Sequence, residues 1–432
     1  MKIRINIRAL WYYLFAIVIL TFEFWGEVVN IYIKYILSIP WILYAFATFL
    51  KNTYSRRKNI TVYHFWLMLF PILVMSLYAF AIWLFRKDVV FGNYTRLCST
   101  IIYLCISWGF GAAGYYFFKE KSVDYLFYAG VTSYFLGSVC CLVFEHGLWG
   151  VLEYAKKLFL GIHSPVTHVM EVHDITFAMG IFLLYYLYFE KRSVSHHNAK
   201  IILAGLMVFF GLKRIEILAL FFAVAVHFIF FRKKMSVSRT STIFAVSAVL
   251  LSFLYLFLIK TGLLSLICMY YGIETSGRLM AYDYARDFFE LSPTFTGMGF
   301  TYFLEMWENL YNEGLYFTVN GWDYGAAASV HSDIVCLYIE NGFLLTIGWI
   351  WYSFATKPKL IQKVSGSRSA QCYLLIVAYM FVLYLTDNTF GYHDTQMIFF
   401  LAPLVMTGDP SGITDSSAAP QSIPMSDPLR KL

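Results

Sequence analysis

The sequence predicts an all-α integral membrane protein whose helices cross the bilayer about twelve times. Three observations predict it. Hydrophobic residues make up 59% of the 432 and charged residues only 14%. The apolar residues gather into runs near the roughly 20 that one crossing needs. The basic residues fall in every second connection between those runs. A soluble chain carries about 25% charged residues because water must solvate its surface. With a mean hydropathy of +0.63, this chain needs lipid around much of its surface. The 20% aromatic content suits interfacial belts and packed helix faces.

In chain order the runs fall at about 9–26, 31–50, 62–85, 97–118, 123–144, 175–189, 241–262, 334–354, 371–390 and 394–408. The first follows Lys2, Arg4 and Arg8 and lacks a small-residue cleavage site, so it is expected to be a retained span. One further run, Ile201 to Phe231, is interrupted by Lys213-Arg214-Ile215-Glu216. As a single helix it would be about 46 Å long and would hold Arg214 near the bilayer centre at several kcal/mol. Two short spans joined by a tight turn at Lys213-Arg214 avoid both costs. With the N-terminus in the cytoplasm, this split leaves two thirds of the 33 Lys and Arg residues in inside segments. A merged span would move Arg232-Lys233-Lys234 outside.

The polytopic domain is thus expected over 1–408, with outside loops at about 145–174 and 263–333 and a disordered cytoplasmic tail over 409–432. A charged, aromatic loop as long as the second is more often functional than passive. Six of the seven cysteines lie in or at apolar runs, where Cys behaves as a small hydrophobe, and none forms metal-binding spacing.

Three cationic or titratable groups share the predicted outer face: Arg214 at the short turn, Arg278 early in the large loop, and His331 where that loop returns to the membrane. Arginine's planar fork suits phosphate. Histidine titrates near neutrality and can take a proton from a hydroxyl. Each has a plainer reading: Arg214 as an interfacial anchor, Arg278 and Arg286 as partners of Asp283, Asp287 and Glu290 on a solvated helix, His331 as an interfacial histidine. Glu340 lies inside a span, where a carboxylate marks a functional or structural polar contact.

Gly211-Leu212-Lys213-Arg214-Ile215-Glu216 resembles the arginine motif of the O-antigen ligase and polymerase superfamily. Ser276-Gly277-Arg278 with Gly297-Met298-Gly299 resembles that family's Ser-Gly-Arg and Gly-x-Gly segments. His331-Ser332-Asp333 followed by Glu340-Asn341-Gly342 resembles its His-Asn and Glu-x-Gly segments. The resemblance covers about residues 200–350. Ser332 departs from the usual Asn, and Lys213 replaces a common Ser, a form closer to the polymerases.

The resemblance implies a GT-C-like, inverting, metal-independent membrane glycosyltransferase with no cofactor. Its donor would be an oligosaccharide on undecaprenyl pyrophosphate, supplied within the bacterial inner membrane by a flippase, with a chain-length regulator as a possible partner. Carried over, Arg214 and Arg278 would hold the pyrophosphate, with Lys213 and Arg286 beside them. His331 would be the general base and Glu340 would orient its segment. His173, with His163 and His168, is read as glycan-contacting or solvated, and Asp387, His393 and Asp394 as lining the same cavity. The expected activity is polymerisation of lipid-linked repeat units. A ligase of the same superfamily and a lipid-linked glycan flippase are the alternatives. No nucleotide loop, zinc motif or nucleophile elbow occurs, and nothing points to nucleic acid.

Overall fold

The structure is a computed structural model. It describes residues 6–21, 33–51, 56–90, 92–139, 143, 147–150, 152–153, 156, 173–211, 213–233, 235–273, 278–312, 317–319, 322–324 and 330–408. The expected tail 409–432, His163 and His168, most of the 145–174 loop, and Ser276-Gly277 lie outside the described residues, as does the side chain of His173.

The described chain is α-helical apart from one small hairpin. Before the large loop run α1 (Ile7–Thr21), α2 (Ile33–Lys51), α3 (Arg56–Phe85), α4 (Tyr94–Phe118), α5 (Lys121–Tyr134), α6 (His173–Tyr188), α7 (His197–Phe210), α8 (Arg214–Val226) and α9 (Val237–Lys260). The loop region holds α10 (Leu263–Tyr270), α11 (Arg278–Ala285), α12 (Tyr302–Asn312) and the antiparallel ribbon of β1 (Phe317–Val319) with β2 (Trp322–Tyr324). The chain then runs through α13 (Asp333–Trp351), α14 (Lys357–Thr386) and α15 (His393–Gly408).

By length and composition, six described helical runs are apolar enough to cross a membrane: Ile33–Lys51, Ile60–Phe85, Tyr94–Phe118, Arg214–Phe231, Val237–Lys260 and the bent Asp333–Thr386. Three shorter apolar helices are Ile7–Thr21, Asp174–Tyr188 and His197–Phe210. Burial separates centre from periphery. The most apolar window of Asp333–Thr386 is 78% buried, against 22% for Ile33–Lys51 and 33% for Val237–Lys260. The outer helices accordingly expose Leu43, Phe46, Leu77, Phe80, Leu250 and Leu254, a pattern that suits contact with acyl chains and would be costly in water.

The interrupted run does reverse at Gly211–Lys213. At one end of α7, Lys200 reaches Glu190 beyond the end of α6. At the other, Gly211 packs so closely on Thr176, near the start of α6, that a Cβ would overlap its methyl. The following helix, α8, runs back alongside α6. Glu216 meets Tyr379, which itself donates to the Phe177 carbonyl, and His227 stacks 4.4 Å from Tyr188. The physical cause is the one read from the sequence: the turn delivers Lys213 and Arg214 to the end of the bundle.

Glycines break the central helices. At Gly342, α13 takes φ +69° and ψ −170°, a region essentially reserved for glycine that costs an L side chain about 1–3 kcal/mol. Into this break the large loop inserts its own backbone. Met298 N–H donates to the Ile339 carbonyl (2.9 Å), Gly299 N–H to Glu340 (2.7 Å), and Phe343 N–H to Phe295 (2.9 Å). The carbonyls and amide freed by the break are thereby satisfied, as burial in apolar surroundings requires. The end of α3 holds this clasp from behind. Tyr78 donates to the Thr296 carbonyl, Trp83 to Met298 and Arg86 to Gly297, at 2.7–2.8 Å.

Candidate functional site

At one end of the bundle the chain between α14 and α15 packs against the entrance to α13. Ser332 caps α13 by accepting from Val335 N–H (3.3 Å). Asp333 N–H donates to the Asp387 carbonyl (3.1 Å), and the Asp333 carboxylate accepts from the Thr389 hydroxyl (2.8 Å) and Phe390 N–H (3.2 Å). These bonds lock His331, immediately before the cap, against Asp387, immediately after α14.

Asp387 is the hub. Its carboxylate lies 3.8 Å from His331 Nδ1 and 3.8 Å from an Arg278 guanidinium nitrogen, the one at Oδ1 and the other at Oδ2. Both separations exceed hydrogen-bonding distance but permit strong charge pairing at a buried carboxylate. The Tyr392 hydroxyl and Asn388 N–H donate to Oδ1 at 2.7 and 2.9 Å. Asp387 is 1% exposed, whereas the His331 and Arg278 side chains are 29% and 28% exposed. A buried acid thus anchors two half-exposed bases, leaving the imidazole Nε2 edge and the rest of the guanidinium for a substrate.

His331 itself takes φ +47°, and Tyr282 in α11 donates to its carbonyl at 3.3 Å. A left-handed conformation at a histidine is backbone strain of the kind that collects at functional sites. Burial pushes the Tyr282 phenol up to about 12, so it stays a donor at neutral pH.

Beside this group opens a cavity of about 640 Å³. Its walls come from α2, α4, the 300–304 segment, α13 and the 388–392 loop, and are mainly apolar. Tyr392, Asn388 and Asp333 belong to both the cavity wall and the Asp387 network. An apolar cleft with a few convergent polar groups at one end is the usual form of a small-molecule site.

The structure brings together Arg278 and His331 and does the same for two motifs that are far apart in sequence. Gly297-Met298-Gly299 forms the clasp over Glu340-Asn341-Gly342. A Cβ on Gly297 would fall 2.6 Å from the Glu340 carbonyl oxygen, so side chains are excluded there. Glu340 lines the cavity, but its Oε1 accepts the Phe303 amide (3.2 Å), tying α13 to the start of α12. Arg214 is exposed at the first turn of α8. It lies at the same end of the bundle as Asp387: its turn packs on Thr176, while Asp174 caps α15 by accepting from Asp394 and Thr395 N–H (2.8 and 2.5 Å). No described contact joins Arg214 or Lys213 to His331.

Arg286 pairs with Asp283 at 3.4 Å, both about two-fifths exposed, in the solvated i,i+3 geometry. His393 is buried, with its ring 5.1 Å from Tyr35 behind the cavity wall. Sequence reasoning noted Asp387 without its role and missed Tyr282, Tyr392, Thr301 and Arg96. None of these four sits in a motif, and an arginine three residues after Asn93 at the edge of an apolar run reads as an interfacial anchor. No protein-family model, curated protein or solved structure matches this chain.

Proposed function

We propose that this protein is an inverting glycosyltransferase of the bacterial inner membrane that polymerises repeat units carried on undecaprenyl pyrophosphate, with its site on the extracytoplasmic face. The observation that carries the reading is the Arg278–Asp387–His331 group standing next to an apolar cavity, whose wall includes Asn388, Tyr392 and Asp333, all bonded to Asp387. The alternation of basic residues supports about twelve passes and the sidedness, and the resemblance over residues 200–350 supplies the substrate class.

In this reading the carrier's hydrocarbon occupies the cavity and its pyrophosphate lies toward Arg278. His331 accepts the proton of the acceptor sugar's hydroxyl as that oxygen attacks the anomeric carbon of the donor. The bond from that carbon to the pyrophosphate oxygen breaks, configuration inverts, and the pyrophosphate leaves with the electron pair. Arg278 stabilises the charge that develops on it. Asp387, buried behind both, holds the imidazole and stabilises the imidazolium formed.

Purified protein in proteoliposomes, given only lipid-linked repeat units, should lengthen the glycan, and His331→Ala should not. Absence of growth by the wild type, or normal growth by His331→Ala, would defeat the proposal. Transfer only to an added lipid core would identify a ligase instead.

A further inference from the structure

Across the cavity from the Asp387 loop, α4 begins with Asn93 capping Thr95 and Arg96 N–H at 2.9 and 3.1 Å. The Asn93 side chain also donates to Glu305 of α12 (2.7 Å), which ties the start of α4 to the large loop at the site end. Seven residues beyond Arg96, Tyr103 donates to the Gly391 carbonyl (2.8 Å), so α4 descends along the 388–392 loop. At 1.5 Å per residue, Arg96 stands about 10 Å above that contact, toward the membrane surface. It is half-buried and is the only basic residue among the described ones lining the cavity.

Facing the same space is Thr301. It is 1% exposed, its hydroxyl has no hydrogen-bond partner among the described residues, and its φ of +71° is left-handed. A β-branched residue held in that conformation, with a buried hydroxyl unsatisfied, carries two separate costs. Both make sense if the hydroxyl has a ligand to meet.

Resting on the function proposed above, we infer that Arg96 and Thr301 form a headgroup subsite for the lipid-linked pyrophosphate, distinct from Arg278. Arg96 takes the phosphate nearer the hydrocarbon through its paired N–H groups, and Thr301 donates its hydroxyl to the same group. Arg278 on the opposite side takes the phosphate nearer the sugar. The pyrophosphate then bridges the mouth of the cavity, and the anomeric carbon falls toward His331. Arg96 is a positioning residue: it sets where the leaving group sits and transfers no proton.

The test uses the full-length protein in phosphatidylcholine nanodiscs, with farnesyl pyrophosphate, farnesol and inorganic pyrophosphate as probes. The wild type should bind farnesyl pyrophosphate at least tenfold more tightly than either other probe. Arg96→Gln should weaken farnesyl pyrophosphate at least tenfold and leave farnesol unchanged, and Arg96→Lys should fall between. Thr301→Val should weaken it a few-fold without lowering thermal stability, since it replaces an unsatisfied buried hydroxyl with a methyl. Binding of farnesyl pyrophosphate by Arg96→Gln within twofold of the wild type, or inorganic pyrophosphate bound as tightly as farnesyl pyrophosphate, would overturn the inference while leaving His331-dependent chain growth untouched. Failure of the wild type to extend lipid-linked repeats, with the Arg96 effect intact, would instead remove the polymerase reading and keep the subsite.

Discussion

Replacing Gly342 with alanine tests whether the broken helix and the loop clasped into it form one unit. A Cβ at this position would fall within contact of the Phe295 carbonyl oxygen and the Thr296 carbonyl carbon, and 2.7 Å from Gly297 N. All three are backbone, so no side-chain rotation relieves the overlap. Keeping φ at +69° and ψ at −170° costs alanine about 1–3 kcal/mol, and overpacking a tight contact adds roughly 1–3 kcal/mol. The chain can escape by opening the clasp, but that forfeits the hydrogen bonds of Met298, Gly299 and Phe343, each worth about 1 kcal/mol net. Both routes converge on about 3 kcal/mol, or roughly a hundredfold in local opening.

Hydrogen exchange of the solubilised protein reads this directly. In Gly342→Ala, peptides covering 295–303 and 338–344 should exchange about a hundred times faster, while α6 and α14 stay protected. Gly348→Ala is the control. It sits in the same helix, a Cβ there meets nothing within 4 Å, and alanine is the better helix former. It should leave exchange unchanged or slow it. Exchange within threefold of the wild type in Gly342→Ala would refute the clasp. Since Phe300, Thr301 and Glu340 share this wall of the cavity, chain growth should fall in parallel.

Asp387→Asn keeps the shape of the hub but removes the charge that faces His331 and Arg278. The turnover rate should drop by roughly 10²–10⁴, as when the acid behind a catalytic histidine is neutralised, while retained wild-type turnover would disconnect Asp387 from the reaction. Tyr282 gives a pH signature. Its phenol is raised from 10.0 to about 12 by burial, so between those values the folded protein holds a proton that the unfolded chain has lost. Stability therefore falls as pH rises through that window, by about 2–3 kcal/mol from this group. Thermal unfolding of Tyr282→Phe should show a shallower alkaline loss than the wild type, and identical slopes would contradict the assignment. At the opposite end of the bundle, Lys200 is buried between Asp124 (2.9 Å) and Glu190, which also faces His197 Nδ1 at 2.7 Å. Lys200→Met leaves those acids uncompensated and should cost about 3–5 kcal/mol of stability. Denaturation should register that loss, and substrate affinity should not change.

Much of the architecture was legible because bilayer physics writes itself into local composition. The split at Lys213-Arg214 followed from helix length and the cost of a buried arginine, and the chain does turn there. The glycine pairs Gly297/Gly299 and Gly342 stood out as motifs, but that they close on each other was not readable. Nothing in either segment specifies a partner about 40 residues away. Asp387 was visible only as an acid in an outer turn. Its role depends on where the end of α14 meets the entrance to α13.

The sequence by itself determined that the chain is helical and apolar enough to need lipid around it, and which residue types could hold a phosphate or take a proton. These depend on hydrophobicity and charge, which each residue carries wherever it sits. Only the tertiary structure decided which of those residues meet. It set Arg278 and His331 on one buried carboxylate and left Arg286 with its solvated neighbour. It also opened an apolar cavity with Arg96 and Thr301 in its wall. Such choices depend on packing between helices distant in sequence, where distances of a few ångströms select among groups that composition treats alike.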